Sequence, residues 1–394
     1  MLDTVFDIFA NILECITLYT AIIGAFFLIP RKKPVPTVPQ TRFAVLIPAR
    51  NEENVITALL DSLWNQSYPR ELYDVYVIPN NCTDDTEGAA RRAGAGVLPC
   101  LGEPRNKGDV LHQAFSQLMG KYDAYCVFDA DNVVDRNFLA RMNDAVVRGA
   151  QAAKCRQVAS NPYDSWVAGC YGLYIENFNL MYNRPRAFLG LSARLVGTGF
   201  MVTDQLMHRL GGWNTTSITE DAEFAAQCAL NGVRIHYVPE AITYDEQPNS
   251  FRVSLRQRRR WSAGVQSTAN DYVCRLMKRP NFLRLDVSIY LSNIYVQLLA
   301  CIPVCHQLLK MPVFGIVRTL AVSLGTFWIG MVATALFLTI AGHRNPVRMA
   351  KSILLYPVFT ASWYPLHILG LIAKPKCWTP IPHVGKAGVR QSRD

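Results

Sequence analysis

The chain has 394 residues, half of them apolar, and a formal charge of +10, enough length for one or two domains with a real core. Its apolar residues crowd into 5–30 and 287–373, whereas 41–280 reads as ordinary globular sequence. Runs of about 20 apolar residues match the hydrocarbon thickness of a bilayer, so the distribution argues against a wholly soluble protein.

Residues 1–30 form the first element. "VFDIFANILECITLYTAIIGAFFLIP" has acids at its front (Asp3, Asp7, Glu14) and no small-residue cleavage site after it, so it reads as a retained membrane helix and not a signal peptide. Arg31, Lys32 and Lys33 follow directly, which places that end, and the domain beyond it, on the cytoplasmic side of an inner or plasma membrane. A stiff proline-rich linker leads from Pro34 to a globular region expected over 41–250.

Strand and helix signals then alternate. "FAVLIPA" predicts a buried strand and residues from about 53 to 65 a helix. "YDVYVIP" predicts the next strand and "TDDTEGAARRAG" a capped helix. "AGVLPC" reads as a short strand, "KGDVLHQAFSQLMG" as a helix and "YDAYCVFDAD" as a strand ending in acids. This order implies an α/β domain with a mostly parallel sheet covered on both faces. Ligands of such sheets bind beyond the carboxyl ends of the strands, where this chain places Arg50-Asn51-Glu52, Asn80-Asn81 and Asp129-Ala130-Asp131.

Eleven cysteines occur without a C-x-x-C, several in apolar runs, and read as buried reduced thiols of a cytoplasmic domain. The seven histidines are scattered without paired spacing, giving no zinc site.

Asp129 and Asp131, one residue apart at a strand end, can offer hard oxygen ligands to one Mg²⁺ or Mn²⁺ completed by substrate phosphates; such a pair can equally cap the next helix. Lys107 opens a helix, where an anion is favoured, though a solvated surface lysine fits as well. In "SITEDAEFAAQCALNG", Ser217 and Glu220 fit a capping box, while Asp221 can serve as a general base. "SLRQRRRWSAG" lies in a segment, 251–285, that can form an amphipathic helix on anionic headgroups through Arg252, Arg256, Arg258, Arg259 and Arg260. Sparse aromatic interleaving argues against a nucleic-acid patch. The region 287–373 divides into about 287–309, 311–340 and 350–373, the last interrupted by Pro357 and Pro365 and thus a re-entrant candidate. A basic tail covers 374–394.

With "DAD", "TED" and "QRRRW" in this order, the chain resembles the family 2 membrane glycosyltransferases, among them cellulose, chitin, hyaluronan and poly-N-acetylglucosamine synthases. The resemblance runs from about Phe43 to Thr268. It implies a GT-A, Rossmann-like nucleotide-sugar-binding domain with flanking transmembrane helices, a UDP-sugar donor such as UDP-N-acetylglucosamine or UDP-glucose, and inversion at the anomeric carbon. Carried over by motif, Asp129 and Asp131 become the ligands of Mg²⁺ or Mn²⁺, Asp131 the more direct. Ala49, Arg50, Glu52 and Asn80 flank the nucleotide, and Lys107, Gln257 and Arg260 the diphosphate. Asp221, with Glu220 and Arg260, becomes the catalytic group. Gly197, Thr198, Gly199 and Trp261 line the acceptor, and Arg258 and Arg259 are left to the lipid surface. "KCWTPIPH" echoes a segment that closes over the site. Many relatives carry Asp-Asn where this chain has Asn80-Asn81, which leaves the nucleotide preference open.

The resemblance implies growth of a polysaccharide or oligosaccharide at the cytoplasmic membrane face. With so few membrane segments, export would need a homo-oligomer or a partner. Transfer of one sugar to a lipid or lipid-linked acceptor is the alternative. A nucleotide-sugar- or lipid-binding assembly partner is the non-enzymatic one.

Overall fold

The structure, a computed structural model, describes residues 2–372; the basic tail and the "KCWTPIPH" segment lie outside the described residues. Helix α1 (Leu2–Ala25) leads in. The globular region then runs β1 (Phe43–Ala49), α2 (Ile56–Trp64), β2 (Tyr73–Pro79), α3 (Thr86–Arg92), β3 (Gly96–Val97), α4 (Lys107–Leu118), β4 (Ala124–Val127), β5 (Asn132–Val134) and α5 (Phe138–Val147). It continues through β6 (Ala152–Ala159), α6 (Trp166–Asn177), a π-helical turn (Phe178–Asn183), α7 (Arg184–Phe188), β7 (Phe200–Thr203), α8 (Asp204–Leu210), α9 (Glu220–Leu230) and β8 (Ile235–Asp245). Last come α10 (Phe251–Met277), α11 (Phe282–Leu309), α12 (Val313–Ala341), α13 (Pro346–Ala361) and α14 (Trp363–Ile372).

The eight strands form one sheet in the order β3-β2-β1-β4-β7-β6-β8-β5. The first four are parallel, but β7 runs antiparallel to both β4 and β6, and β5 antiparallel to β8. With β6 and β8 parallel as well, four of the seven pairings are parallel and three antiparallel, so the sheet is mixed. The strand–helix alternation that predicts parallel pairing ends at Asp131, and β7 returns only after the long α6–α7 excursion. Side chains alternate across β1 as the pleat requires: Phe43, Val45 and Ile47 join one core with α2, α3 and α5, while Ala44 and Leu46 join the other with α4, α8 and α9.

Among the described residues three helical stretches are long and apolar enough to cross a membrane, Phe6–Leu28, Phe282–Leu309 and Val313–Ala341. Asp286, fully buried near the start of α11, takes a two-point bond from Arg186 of α7 (2.9 and 2.8 Å) and one from Tyr19 of α1 (3.0 Å). One carboxylate thus ties α1 and α11 to the globular part.

The last apolar stretch is broken. Pro365 has no N–H for the carbonyl of Ala361, and the helix stops there and restarts at Trp363. Both short pieces dock on the globular side: α14 lies along α10, with His367 Nδ1 2.8 Å from Ser262 Oγ and its carbonyl accepting from Gln266 (2.9 Å).

The 27-residue α10 exposes Arg252 and Arg256 but buries Arg258 completely. Arg258 is therefore not free to serve a lipid surface as expected; its place one turn after Ser254 faces it into the packing against α13.

Candidate active site

The ends of β1, β2 and β4 and the start of α9 open onto one cavity of about 290 Å³. Asp129 and Asp131 stand in the turn that joins β4 to β5. Thr198 frames that turn from β7's leading loop: its Oγ1 accepts from the Asp129 amide (3.0 Å) and donates to Asn132 Oδ1. Asn132 in turn donates to Asp131 Oδ1 (3.2 Å). Lys154, buried on β6, fixes the same loop by donating to the Thr198 carbonyl (2.5 Å).

Lys107 is the first residue of α4, whose cap is Asn106, accepting from the Asp109 amide at 3.0 Å. Its Nζ donates to Asp129 Oδ1 and to the Gly197 carbonyl and lies 3.9 Å from Glu220 Oε1. Lys107 is thus not a solvated surface lysine but an inward-facing bridge between the carboxylate turn and α9, on the cavity wall.

The Ser217–Glu220 capping box is not formed. Glu223, one turn further on, accepts the amides of Thr216 and Ser217 at 2.7 Å each and is held by the Tyr272 hydroxyl at 3.0 Å. That leaves the side chains of Glu220 and Asp221 on the cavity wall. Gly264 of α10 abuts Thr219, and a Cβ there would collide with the threonine side chain, so only glycine lets α10 approach the head of α9 this closely. On α10, Gln257 Oε1 accepts from the Tyr171 hydroxyl (3.0 Å) and Trp261 meets the Tyr171 ring edge-on with centroids 6.2 Å apart.

The charge balance inside the cavity is unusual. Burial pushes Asp131 up to about 7, with Asp129 adding to the shift. Burial, followed by Asp131 and Asp129, pushes Glu52 up to about 8, and burial lifts Asp245 to about 7. Glu220 rises to about 7 through burial and Asp221, against the pull of Lys107. Asp221 is raised by burial although the Ala222 amide, Arg194 and Lys107 oppose it. Burial lowers Arg260, with Glu220, Asp129 and Asp221 acting the other way. Buried carboxylates crowded this closely favour a positive guest. Asp129 and Asp131 fit a hard divalent cation in donor type and position. Among the described residues no set of three or more metal-ligating side chains gathers.

Of the expected site residues, Arg50, Glu52, Asn80, Lys107, Asp129, Asp131, Gly197, Thr198, Glu220, Asp221, Gln257, Arg260 and Trp261 line this one cavity. Ala49 and Gly199 do not. Ala49 is buried beneath it, and its carbonyl takes both the amide and the side-chain NH₂ of Asn80, each at 2.9 Å. Gly199 sits at φ +61° where a Cβ would strike Cys155 Sγ, a packing role. Lys154, Tyr171, Tyr174, Phe178, Arg194 and Tyr290 also line the cavity and were not singled out by sequence. On β6, Gln157 also lines the cavity, whereas Arg156 pairs with Glu176 at 3.0 Å.

Residues 39–264, more than half of the chain, match the family described as glycosyltransferase like family 2. Similar curated proteins include the probable glycosyltransferase YdaM of Bacillus subtilis (28% identical, covering 60% of this chain and 58% of that protein). Another is the beta-monoglucosyldiacylglycerol synthase of a Nostoc species (26%, 74% and 64%). A third is the poly-beta-1,6-N-acetyl-D-glucosamine synthase of Staphylococcus aureus (24%, 59% and 57%). The matches thus span about six-tenths of each relative's length. Among solved structures, the mannosyltransferase PcManGT of Pyrobaculum calidifontis, in complex with GDP-Man and Mn²⁺, superposes with a TM-score of 0.59 at 18% identity, covering 91% of this chain and 99% of that one. That is a likeness of fold.

Proposed function

The chain belongs to glycosyltransferase like family 2, and from that premise we propose that it is a membrane-embedded, inverting, metal-dependent transferase acting from a UDP-sugar. The observation that carries the proposal is the single cavity in which the carboxylates of Asp129 and Asp131, the base candidate Asp221 and the cation Arg260 all converge. Arg50, Glu52 and Asn80 hold the nucleoside. Asn80 gives its side-chain NH₂ to Ala49, which leaves its amide oxygen as the acceptor it can offer the base. Mg²⁺ or Mn²⁺ on Asp129 and Asp131 would neutralise charge on the diphosphate. Asp221 takes the proton from the acceptor hydroxyl as its oxygen attacks the anomeric carbon in line with departing UDP. Lys107 and Arg260 stabilise the charge that develops on the leaving group, where electrostatic help is most effective. Glu220 keeps Lys107 positioned, and Trp261, Gly197 and Thr198 bound the acceptor side.

The acceptor favoured is lipid-borne. Tyr290, which walls the cavity, stands on α11, one of the helices long and apolar enough to cross a membrane. Relatives named as glucosyldiacylglycerol synthases cover most of this chain. Growth of a polysaccharide is the second reading, favoured by Trp261 in its Q-x-x-R-W position and the Staphylococcus relative. The basic run after the first helix supports a cytoplasmic position for the globular region, 41–250; Arg31 of that run binds Glu240 of β8 at 2.7 Å. The arrangement 1–30 as first membrane helix, 251–285 as interfacial helix and 287–373 as membrane region is proposed with it. UDP release from the protein in lipid, across a panel of UDP-sugars with Mg²⁺, Mn²⁺ or chelator, tests it: metal-dependent release with one donor is expected, and release unaffected by chelation contradicts it.

A further inference from the structure

The acceptor half of the cavity contains a cation that the transfer chemistry does not use. Arg194 lies three residues before Gly197, its amide donating to Asn183 Oδ1 of the π-helical turn (2.9 Å). Its guanidinium carbon is 3.9 Å from the Phe178 ring centroid, 5.5 Å from that of Tyr290 and 5.9 Å from that of Tyr174. Nη1 reaches the Tyr174 hydroxyl only at 3.4 Å, and Nε is buried without a hydrogen-bond partner. Two other arginines near it are paired directly, Arg156 with Glu176 at 3.0 Å and Arg186 with Asp286 at 2.8 Å. Among the described residues Arg194 forms no ion pair. Asp221 acts on it through space but is not close enough to form an ion pair, and a desolvated cation without a directly paired carboxylate is costly. Aromatic faces offset part of that cost and leave the guanidinium edge for a planar, two-point anion.

The donor diphosphate does not explain it. The donor side is built from the strand-end loops that carry Lys107, Asp129 and Asp131, whereas the companions of Arg194 come from α6, the π-helical turn and α11. Asp221 Oδ2 is 3.8 Å from where a Cβ on Gly197 would be, and both Lys107 and Arg194 act on its charge.

We propose that the acceptor carries a phosphate ester close to its reacting hydroxyl and that Arg194 binds that phosphate beside the aromatic wall of Phe178 and Tyr290; the proposal rests on the glycosyltransferase reading above. The hydroxyl oxygen forms the new bond to the anomeric carbon while the bond to UDP breaks. The proton goes to Asp221 and the electron pair leaves with UDP. The phosphate ester is unchanged and only orients the acceptor. A hydroxylated anionic lipid headgroup and a soluble phosphorylated polyol share this chemistry; a neutral diacylglycerol lacks it.

The test is equilibrium binding to the full chain, UDP-loaded in neutral detergent, of dioctanoyl phosphatidylglycerol, dioctanoylglycerol and glycerol 1-phosphate. The wild type is expected to prefer phosphatidylglycerol over dioctanoylglycerol by at least about tenfold. Arg194→Gln removes that preference while UDP affinity is kept, and Arg194→Lys keeps part of it. A surface control, Arg252→Gln with Arg256→Gln, leaves it in place. Tight glycerol 1-phosphate binding with the same Arg194 dependence assigns the phosphate to a soluble acceptor. Equal binding of charged and neutral lipid, or a preference that survives Arg194→Gln, overturns the proposal. UDP affinity measured in the same samples separates the two levels. Loss of UDP binding in the wild type sinks the transferase reading itself, and UDP binding without charge preference sinks only this one.

Discussion

Arg258 donates from Nη1 to the carbonyl oxygen of Phe359 across 2.9 Å, with its guanidinium carbon 4.1 Å from the Phe359 ring and 5.1 Å from that of Trp363. That carbonyl belongs to the last turn of α13, where a helix leaves its acceptors unpaired; Ser362 Oγ donates to it as well, at 2.7 Å. The bond joins the broken apolar stretch to the helix that carries Gln257, Arg260 and Trp261.

Arg258 should therefore position its neighbours without touching substrate. Arg258→Gln is expected to lower kcat by up to about 100-fold, the scale of an ångström-sized displacement of reacting groups, while UDP affinity stays near the wild-type value. Arg258→Lys, which keeps the charge, should recover part of the loss. A variant with wild-type kcat would show that the bond matters only for packing.

The metal-free cavity should weaken the fold as pH rises. Glu52 at about 8 and Asp131 and Asp245 at about 7 hold protons in the folded state that the unfolded chain has already released. Their contribution to stability is complete below the ordinary carboxylate range and is lost as pH climbs through those values. Mn²⁺ should reverse the trend, so its increment in melting temperature is expected to grow between about pH 5.5 and about pH 8. Thermal melts with and without chelator read this directly. The increment should be absent in Asp131→Asn, and an increment independent of pH and of Asp131 contradicts the metal assignment.

Activity should follow the base and its neighbour. Asp221 is raised by burial and Glu220 lies at about 7, and a general base works only when ionised. The pH profile of kcat/KM is expected to rise through neutrality and level off above about pH 8. A profile already flat at about pH 5.5 would mean that neither carboxylate has to lose a proton.

Gly199→Ala should fail in folding and not in acceptor choice. A Cβ at φ +61° is strained and meets Cys155 Sγ and Thr243, a loss of about 1–3 kcal/mol. Lower melting temperature with unchanged product identity in the surviving fraction is the expected result. A changed acceptor profile would return Gly199 to the acceptor wall.

The strand ends were legible in sequence because buried parallel strands read as apolar runs and their polar successors stand out: Arg50, Asn80 and Asp129 are found where such runs stop. The order of "DAD", "TED" and "QRRRW" gave the site its parts. What stayed hidden depends on partners remote in the chain. Nothing in "QRRRW" tells which arginine faces inward, because that is set by α13 about a hundred residues on. Ser217 and Glu220 have capping-box spacing, but Glu223 competes for the same amides with the help of Tyr272. Arg194 and Tyr290 carry no motif; the first is placed by the loop before β7 and the second is one aromatic in an apolar helix. The reversal of β7 was invisible because the clear alternation stops at Asp131.

The measurement closest to the central claim is UDP release by Asp221→Asn beside the wild type, with UDP affinity determined on the same samples. Release is expected to fall by about 10²- to 10⁴-fold, the share of a general base, with UDP bound as before. Turnover at the wild-type rate would show that Asp221 is not the base, and with it the assignment of roles in this cavity would fall.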